Sequence, residues 1–283
     1  MISAPGREHV PADRVGSFYR LEARHSGRLL ELRARRERPG AEPAAADRPK
    51  RGSVRAFSAR SRRRLFKTCA AVPWSRYGAA VMFVTLTYPG QGYPNETGEG
   101  KRHLDALRKR WARKWGSCAY VWKQEFQRRG VVHYHLGVMV RDVLDYPEWR
   151  LLQTWLAQTW YGIVNSGDPR HLAAGVQLDR ATGNLASYFA KYASSKGDKE
   201  YQHECPAEWP TAGRWWGVRG ASEDWTTTRL GGAQWMRLRR ILRRALEARL
   251  RRPVKSDGRI QGAWLIGQSE NVWADLLPQL VAT

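Results

Sequence analysis

Cysteine is scarce in this chain. Cys69, Cys118 and Cys205 are the only three, at spacings that suit neither a zinc site nor a disulfide framework. That excludes a disulfide scaffold and fits a reducing cytoplasm. No apolar run reaches the roughly 18 residues expected of a membrane-spanning helix, and the first residues lack the apolar stretch of a secretory signal. Acid is also short, with 26 Asp and Glu against 49 Lys and Arg, a formal net charge of +23. Lysine is the minor cation, since 39 of those 49 are arginine. What remains is a basic chain of 283 residues, long enough for one large or two small domains and a sizeable core. Such a balance calls for a polyanionic partner, either nucleic acid or an anionic membrane surface.

The excess charge is uneven. Residues 1–66 carry a net of +10 and residues 229–259 a net of +9, whereas residues 67–228 carry only +6. The middle therefore reads as the folded domain. Residues 1–66 read as a basic, partly disordered arm that meets phosphates without reading bases, or as a solvated tail. Residues 229–283 read as a basic amphipathic helix and tail. In the segment 233–252, Trp235, Leu238, Ile241, Leu242, Ala245, Leu246 and Leu250 fall on one helical face. Arg237, Arg239, Arg240, Arg243, Arg244 and Arg251 cover much of the rest, and Pro253 ends it. This helix is expected to pack on the domain and turn its arginines toward DNA; a membrane surface is the rival partner.

In the middle, Val81 to Tyr88 is a β-branched, aromatic run closed by Pro89-Gly90, which predicts a strand and a turn. Lys101 to Trp115 predicts a helix with Leu104, Leu107, Trp111 and Trp115 on one stripe. Cys118 to Gln127 and Val131 to Val140 predict two strands around Arg128-Arg129-Gly130, with Gly130 suited to a left-handed turn position. Glu148 to Trp160 predicts a second helix and Ala174 to Leu178 a short strand. Asn184 can cap a third helix from Leu185 to about Ser195. The order β-α-β-β-α-β is the ferredoxin-like, RRM-like arrangement, an α+β fold whose antiparallel sheet carries helices on one face and leaves the other for a ligand.

His133-Tyr134-His135 lies within the second hairpin strand, so both imidazoles project to one side. With the loop centred on Arg129, paired residue numbers sum to 258. Glu125 then faces His133 and Lys123 faces His135, at Cβ separations of about 4.5–5.5 Å. Glu125, His133 and His135 can close on one cation, and two imidazoles with a carboxylate and phosphate oxygens suit Mg²⁺ or Mn²⁺. The plainer reading is two polar residues alternating on a solvent-facing strand. On the third helix Tyr188 and Tyr192 share a face at i, i+4, with Lys191 beside them and Lys196 four residues further on. Ammonium groups and a metal favour phenolate, which can attack a phosphodiester. Here the plainer reading is a pair of core aromatics.

Together these residues resemble the HUH endonuclease superfamily, and within it the rolling-circle replication initiator (Rep) proteins of plasmids and phages. Phe83-Val84-Thr85-Leu86-Thr87-Tyr88 is similar to the first family motif and His133-Tyr134-His135 to the metal motif. Tyr188-Phe189-Ala190-Lys191-Tyr192 is similar to the nucleophile helix in its two-tyrosine form. Gly213-Arg214-Trp215-Trp216-Gly217-Val218 is similar to a segment that often follows. The resemblance covers about residues 75–225. It implies an HUH fold with Mg²⁺- or Mn²⁺-dependent nicking and rejoining of single-stranded or hairpin origin DNA through a 5′-phosphotyrosine. It also implies metal ligation by His133, His135 and Glu125, with catalysis by Tyr188, Tyr192 and Lys191; which tyrosine attacks first stays open.

Gly98-Glu99-Gly100-Lys101-Arg102 lacks the residues of a phosphate-binding loop. No fused helicase is expected, so the partners are origin DNA with a host helicase and polymerase, and no membrane. The competing functions are a non-catalytic, RRM-like nucleic-acid-binding repressor or coating protein, and another HUH enzyme such as a relaxase or single-strand transposase. His103, His171 and His203 have no partner at ligand spacing and are expected to be surface or structural residues.

Overall fold

A computed structural model describes residues 19–36, 52–90, 94, 96–180, 185, 186, 188, 189, 200–254 and 264–281. The chain forms two compact units, one of Lys50–Cys69 with Trp74–Ser222, the other of Met1–Pro49, Ala70–Pro73 and Glu223–Thr283.

In the first of these units, helix α1 (Ala59–Ala71) precedes β3 (Ala80–Thr87), α2 (Thr97–Trp115), β4 (Tyr120–Phe126), β5 (Val132–Val140), α3 (Tyr146–Val164), α4 (Pro169–Ala174), β6 (Val176–Arg180) and β7 (Trp216–Arg219). The sheet order is β6-β3-β5-β4-β7, with every pair antiparallel. The four strands of the expected β-α-β-β-α-β run take the ferredoxin-like order, and β7 adds an edge beside β4. The fold class is therefore the α+β, RRM-like one expected from element order. Local chemistry sets the boundaries. Asp145 caps α3, accepting from Glu148 N while the Glu148 carboxylate accepts from Asp145 N. Asn165 ends the helix in the left-handed conformation. Gly130, at φ 76°, supplies the positive φ of the β4–β5 turn.

The sheet faces differ. Val84, Leu136, Val138 and Tyr120 lie against Leu104, Leu107 and Trp111 of α2 and Leu156 of α3 around one apolar cavity. The Trp160 indole donates to Thr87 O at 2.9 Å on that side. The other face carries the alternate residues. There Gly137 makes room for a helical segment, because a Cβ on it would stand 2.0 Å from Leu185 Cδ2 and 3.4 Å from Phe189 Cε2. Leu185, Ala186, Tyr188 and Phe189 are helical, as expected; the rest of that helix, including Lys191, Tyr192 and Lys196, lies outside the described residues.

The second unit is built on β1 (Tyr19–Ser26), β2 (Leu29–Arg36), β8 (Thr226–Arg229) and β9 (Trp264–Ile266), in the order β8-β1-β2-β9. Two helices, α5 (Gly232–Leu250) and α6 (Val272–Val281), complete it. Leu21, Ala23, Leu30 and Leu32 of the hairpin form one apolar cluster with Trp235, Leu238 and Leu242 of α5 and Val272, Leu276 and Leu280 of α6. The α5 helix thus occupies nearly the span its periodicity predicts, and its apolar stripe is core.

These units differ from the divisions at 66 and 228 drawn from charge. Residues 19–36 of the expected arm are paired strands, with Ala23 opposite Leu32 and His25 opposite Leu30. Arginine density hid an alternating apolar pattern that period-2 reading exposes. Residues 37–51 of that arm lie outside the described residues.

Trp235 is fully buried at the centre of this cluster. Trp235→Ala is expected to cost about 3–5 kcal/mol, read as a lowered urea midpoint of the full chain; an unchanged midpoint would count against α5 as a core element.

Candidate metal and nucleophile site

The β4–β5 hairpin positions the first part of the site. Its register places Glu125 opposite His133 and Lys123 opposite His135, as the loop centred on Arg129 requires. On the other flank β3 places Thr87 opposite His133 and Thr85 opposite His135. The two imidazoles are stacked, with ring centroids 4.8 Å apart and planes within 13°. Glu125 Oε2 lies 3.1 Å from His135 Nε2, and the Lys123 ammonium donates to Glu125 Oε1. Thr85 Oγ1 is 3.3 Å from His135 Nδ1. Gln127 Nε2 is 3.0 Å from His133 Nδ1, and Thr87 Oγ1 is 3.5 Å from His133 Nε2.

Electrostatics follow from burial and these partners. Burial raises the Glu125 carboxyl, but the His135 hydrogen bond and the Lys123 ammonium outweigh it and bring the pKa to about 2. Burial, with His135 next to it, lowers His133 to about 4, so its imidazole is neutral at physiological pH. Burial lowers Lys123 to about 8, against the opposing pull of Glu125. Lys123 is wholly buried, with Phe57 under its ammonium at 5.6 Å.

The donor set suits a hard divalent cation. The 3.1 Å between Glu125 Oε2 and His135 Nε2 matches the roughly 3 Å edge of an octahedron with bonds near 2.0–2.1 Å. These two groups are in place as ligands. His133 is not: its Nε2 faces Thr87. Among the described residues, no three His, Cys, Asp or Glu side chains already converge on one cation position.

Tyr188 joins the same face. Its ring stacks on Phe83 at 3.6 Å between centroids and 13° between planes. Phe83 pairs with Gly137 and Thr85 with His135, so the tyrosine covers the rung next to the histidine rung, about 7 Å along the strand. Lys191 and Tyr192 lie outside the described residues.

Sequence reasoning missed the support on the α1 side. His203 is buried; its Nδ1 accepts from Arg62 Nη1 at 3.2 Å and its ring meets Phe57 edge-on at 5.5 Å. Burial, followed by Lys123 and Arg62, lowers its pKa to about 4. No spacing rule connects residues 57, 62 and 203 to a hairpin at 125–135; only the fold does. His171 is structural as expected, its Nε2 2.9 Å from Thr87 O, and His103 is 3.1 Å from the Tyr88 hydroxyl. The Gly98–Arg102 stretch forms the opening turns of α2, which agrees with its rejection as a phosphate loop.

Residues 81–197, less than half of the chain, match the model of a replication-associated protein family, the ORF2 type. This likeness supports a replication-initiator role. The matched stretch contains Glu125, His133, His135, Tyr188, Lys191 and Tyr192. No curated protein and no solved structure matches the chain.

A carboxylate held near 2 instead of its usual 4.5 stabilises the fold above pH 4.5, and that contribution is lost as pH falls toward 2. The shift corresponds to a few kcal/mol. Glu125→Gln is therefore expected to lower unfolding free energy by on the order of 3 kcal/mol at pH 7 and by much less at pH 3. Urea titrations of both proteins in chelating buffer check this; an equal deficit at both pH values would contradict the assignment.

Proposed function

We propose that the unit of residues 50–69 and 74–222 is an HUH-type endonuclease that nicks and rejoins single-stranded or hairpin origin DNA, and that the protein is a rolling-circle replication initiator. The observation that carries this reading is the placement of Tyr188 on the sheet face that holds His133, His135 and Glu125, within the stretch that resembles replication-associated proteins.

In this reading a tyrosine phenolate oxygen, from Tyr188 or Tyr192, attacks the phosphorus of one phosphodiester. The bond to the 3′ oxygen breaks, that oxygen takes up a proton, and the 5′ phosphate stays on the tyrosine. The reverse attack by a 3′-hydroxyl rejoins a strand and frees the phenol. Lys191, three residues after Tyr188 on the same helix, favours the phenolate. Glu125, His135 and His133 would hold Mg²⁺ or Mn²⁺, which supplies positive charge beside the phosphate. A host helicase and polymerase then act on the opened strand and its 3′ end. No helix among the described residues is long and apolar enough to cross a membrane, which favours the DNA reading of the basic helix over a spanning role.

Two measurements test the proposal. With a labelled origin hairpin and Mn²⁺, the wild type is expected to form a covalent adduct that excess chelator suppresses. Tyr188→Phe combined with Tyr192→Phe is expected to abolish the adduct while binding persists. An adduct in the double variant would remove the nucleophile assignment; binding without any adduct in the wild type would favour the repressor or coating reading.

The exposed side of α5 tests the polyanion contact separately. Arg240 and Arg244 are exposed and lie opposite the buried Trp235, Leu238 and Leu242. Arg240→Gln with Arg244→Gln is expected to reduce the slope of log K against log salt by up to about 2 for two lost phosphate contacts. An unchanged slope would separate this helix from the DNA.

A further inference from the structure

The hydrogen bonds around His133 run opposite to those of a ready metal ligand. A histidine that ligates through Nε2 normally carries its proton on Nδ1 and donates it to a carboxylate, carbonyl or water. Here the group 3.0 Å from His133 Nδ1 is the Gln127 amide nitrogen. An amide NH₂ can only donate, so Nδ1 must accept, and a neutral imidazole then keeps its single proton on Nε2.

The orientation of the Gln127 amide is fixed from its other end. Arg129 Nε lies 2.9 Å from Gln127 Oε1. A guanidinium nitrogen cannot accept, so the group facing it is the oxygen, and the NH₂ must face His133. Arg129 is anchored in turn: its Nη1 donates to Gly90 O at 2.7 Å and its Nη2 to Tyr88 O at 2.9 Å. The three side chains form a directional chain, from the segment after β3 through Arg129 and Gln127 to His133. It accounts for the contrast within the site, where His135 Nε2 and Glu125 Oε2 stand at ligand separation and His133 Nε2 points its proton toward Thr87.

We propose that Gln127 and Arg129 are positioning residues that set the tautomer of His133, so that its Nε2 joins a cation only after the Gln127 amide has turned over. Turnover places Oε1 on the histidine and NH₂ against Arg129, two donors facing each other, so Arg129 must first leave Gln127. A DNA phosphate is the kind of group that can draw it away, since guanidinium pairs with phosphate through two parallel hydrogen bonds. The cation site is then completed in the presence of substrate. The cation part of this inference rests on the endonuclease reading above; the tautomer part does not.

The test uses the full chain with ¹⁵N-labelled histidine. Without metal, long-range ¹H–¹⁵N correlation is expected to show His133 protonated on Nε2. Gln127→Glu offers acceptors to both Arg129 and the ring, and is expected to move the proton to Nδ1. Gln127→Met removes the amide donor, and Arg129→Met the anchor; each is expected to give a mixture of tautomers. Mn²⁺ binding, followed by electron paramagnetic resonance, is expected to tighten about 10-fold in Gln127→Glu, the lower end of the usual effect of such outer partners. A His133 proton on Nδ1 in the wild type, or a tautomer indifferent to all three variants, overturns the proposal. A tautomer shift with unchanged Mn²⁺ affinity overturns its control over the cation. Spectra that follow the proposal in proteins that bind no Mn²⁺ sustain the relay and count against the metal-dependent endonuclease instead.

Discussion

The register between β4 and β5 is the constraint on which the site depends. Side chains alternate along a strand, so a slip of one residue would carry Glu125 to the helix-covered face and leave His133 and His135 without it. The three-residue turn prevents the slip. Gly130 takes the positive φ, and its amide donates to Gln127 O at 2.9 Å. The same turn supplies Arg129, whose guanidinium reaches back to Tyr88 and Gly90. One local geometry thus sets the pairing, the carboxylate and the hydrogen bonds around the histidine.

The second constraint is charge in a closed space. Lys123 has no exposure at all, and an unpaired ammonium there would carry a desolvation penalty of several kcal/mol. Glu125 offsets it through one oxygen and turns the other toward His135. The buried pair therefore orients the carboxylate as well as neutralising it. Arg62, His203 and Phe57 close this side. Because His203 is held neutral by burial and by neighbouring cations, it adds no further positive charge near Lys123.

Short-range patterns carried the central fold. β-branched runs, helical stripes and a glycine turn are local signals, and they located β3, α2, β4, β5, α3, β6 and the start of the tyrosine helix to within a few residues. The facing of Glu125 and His133 followed from counting across the turn. The site walls contributed by Phe57, Arg62 and His203 did not, since they meet the hairpin only through tertiary packing. The hairpin at residues 19–36 is a different case. Its alternation of Leu21 with Ala23 and of Leu30 with Leu32 was present, with Gly27 at the turn, but arginines at the intervening positions gave it the composition of a solvated arm. Composition averages the two faces of a strand, whereas burial separates them. The buried state of Lys123 was equally hidden, because a lysine opposite a histidine on an exposed strand reads the same in sequence.

The sheet order β8-β1-β2-β9 also shapes how the chain is made. β1 and β2 are synthesised early, yet the strands that flank them, and the helices that cover Leu21, Ala23, Leu30 and Leu32, come from residues 226–281. A lone two-stranded hairpin is marginal in water. At roughly 5–20 residues per second, about 10–40 s of translation separate it from its partners. During that interval the arginines that hide the hairpin from compositional reading keep two open strand edges charged, which discourages pairing between nascent chains.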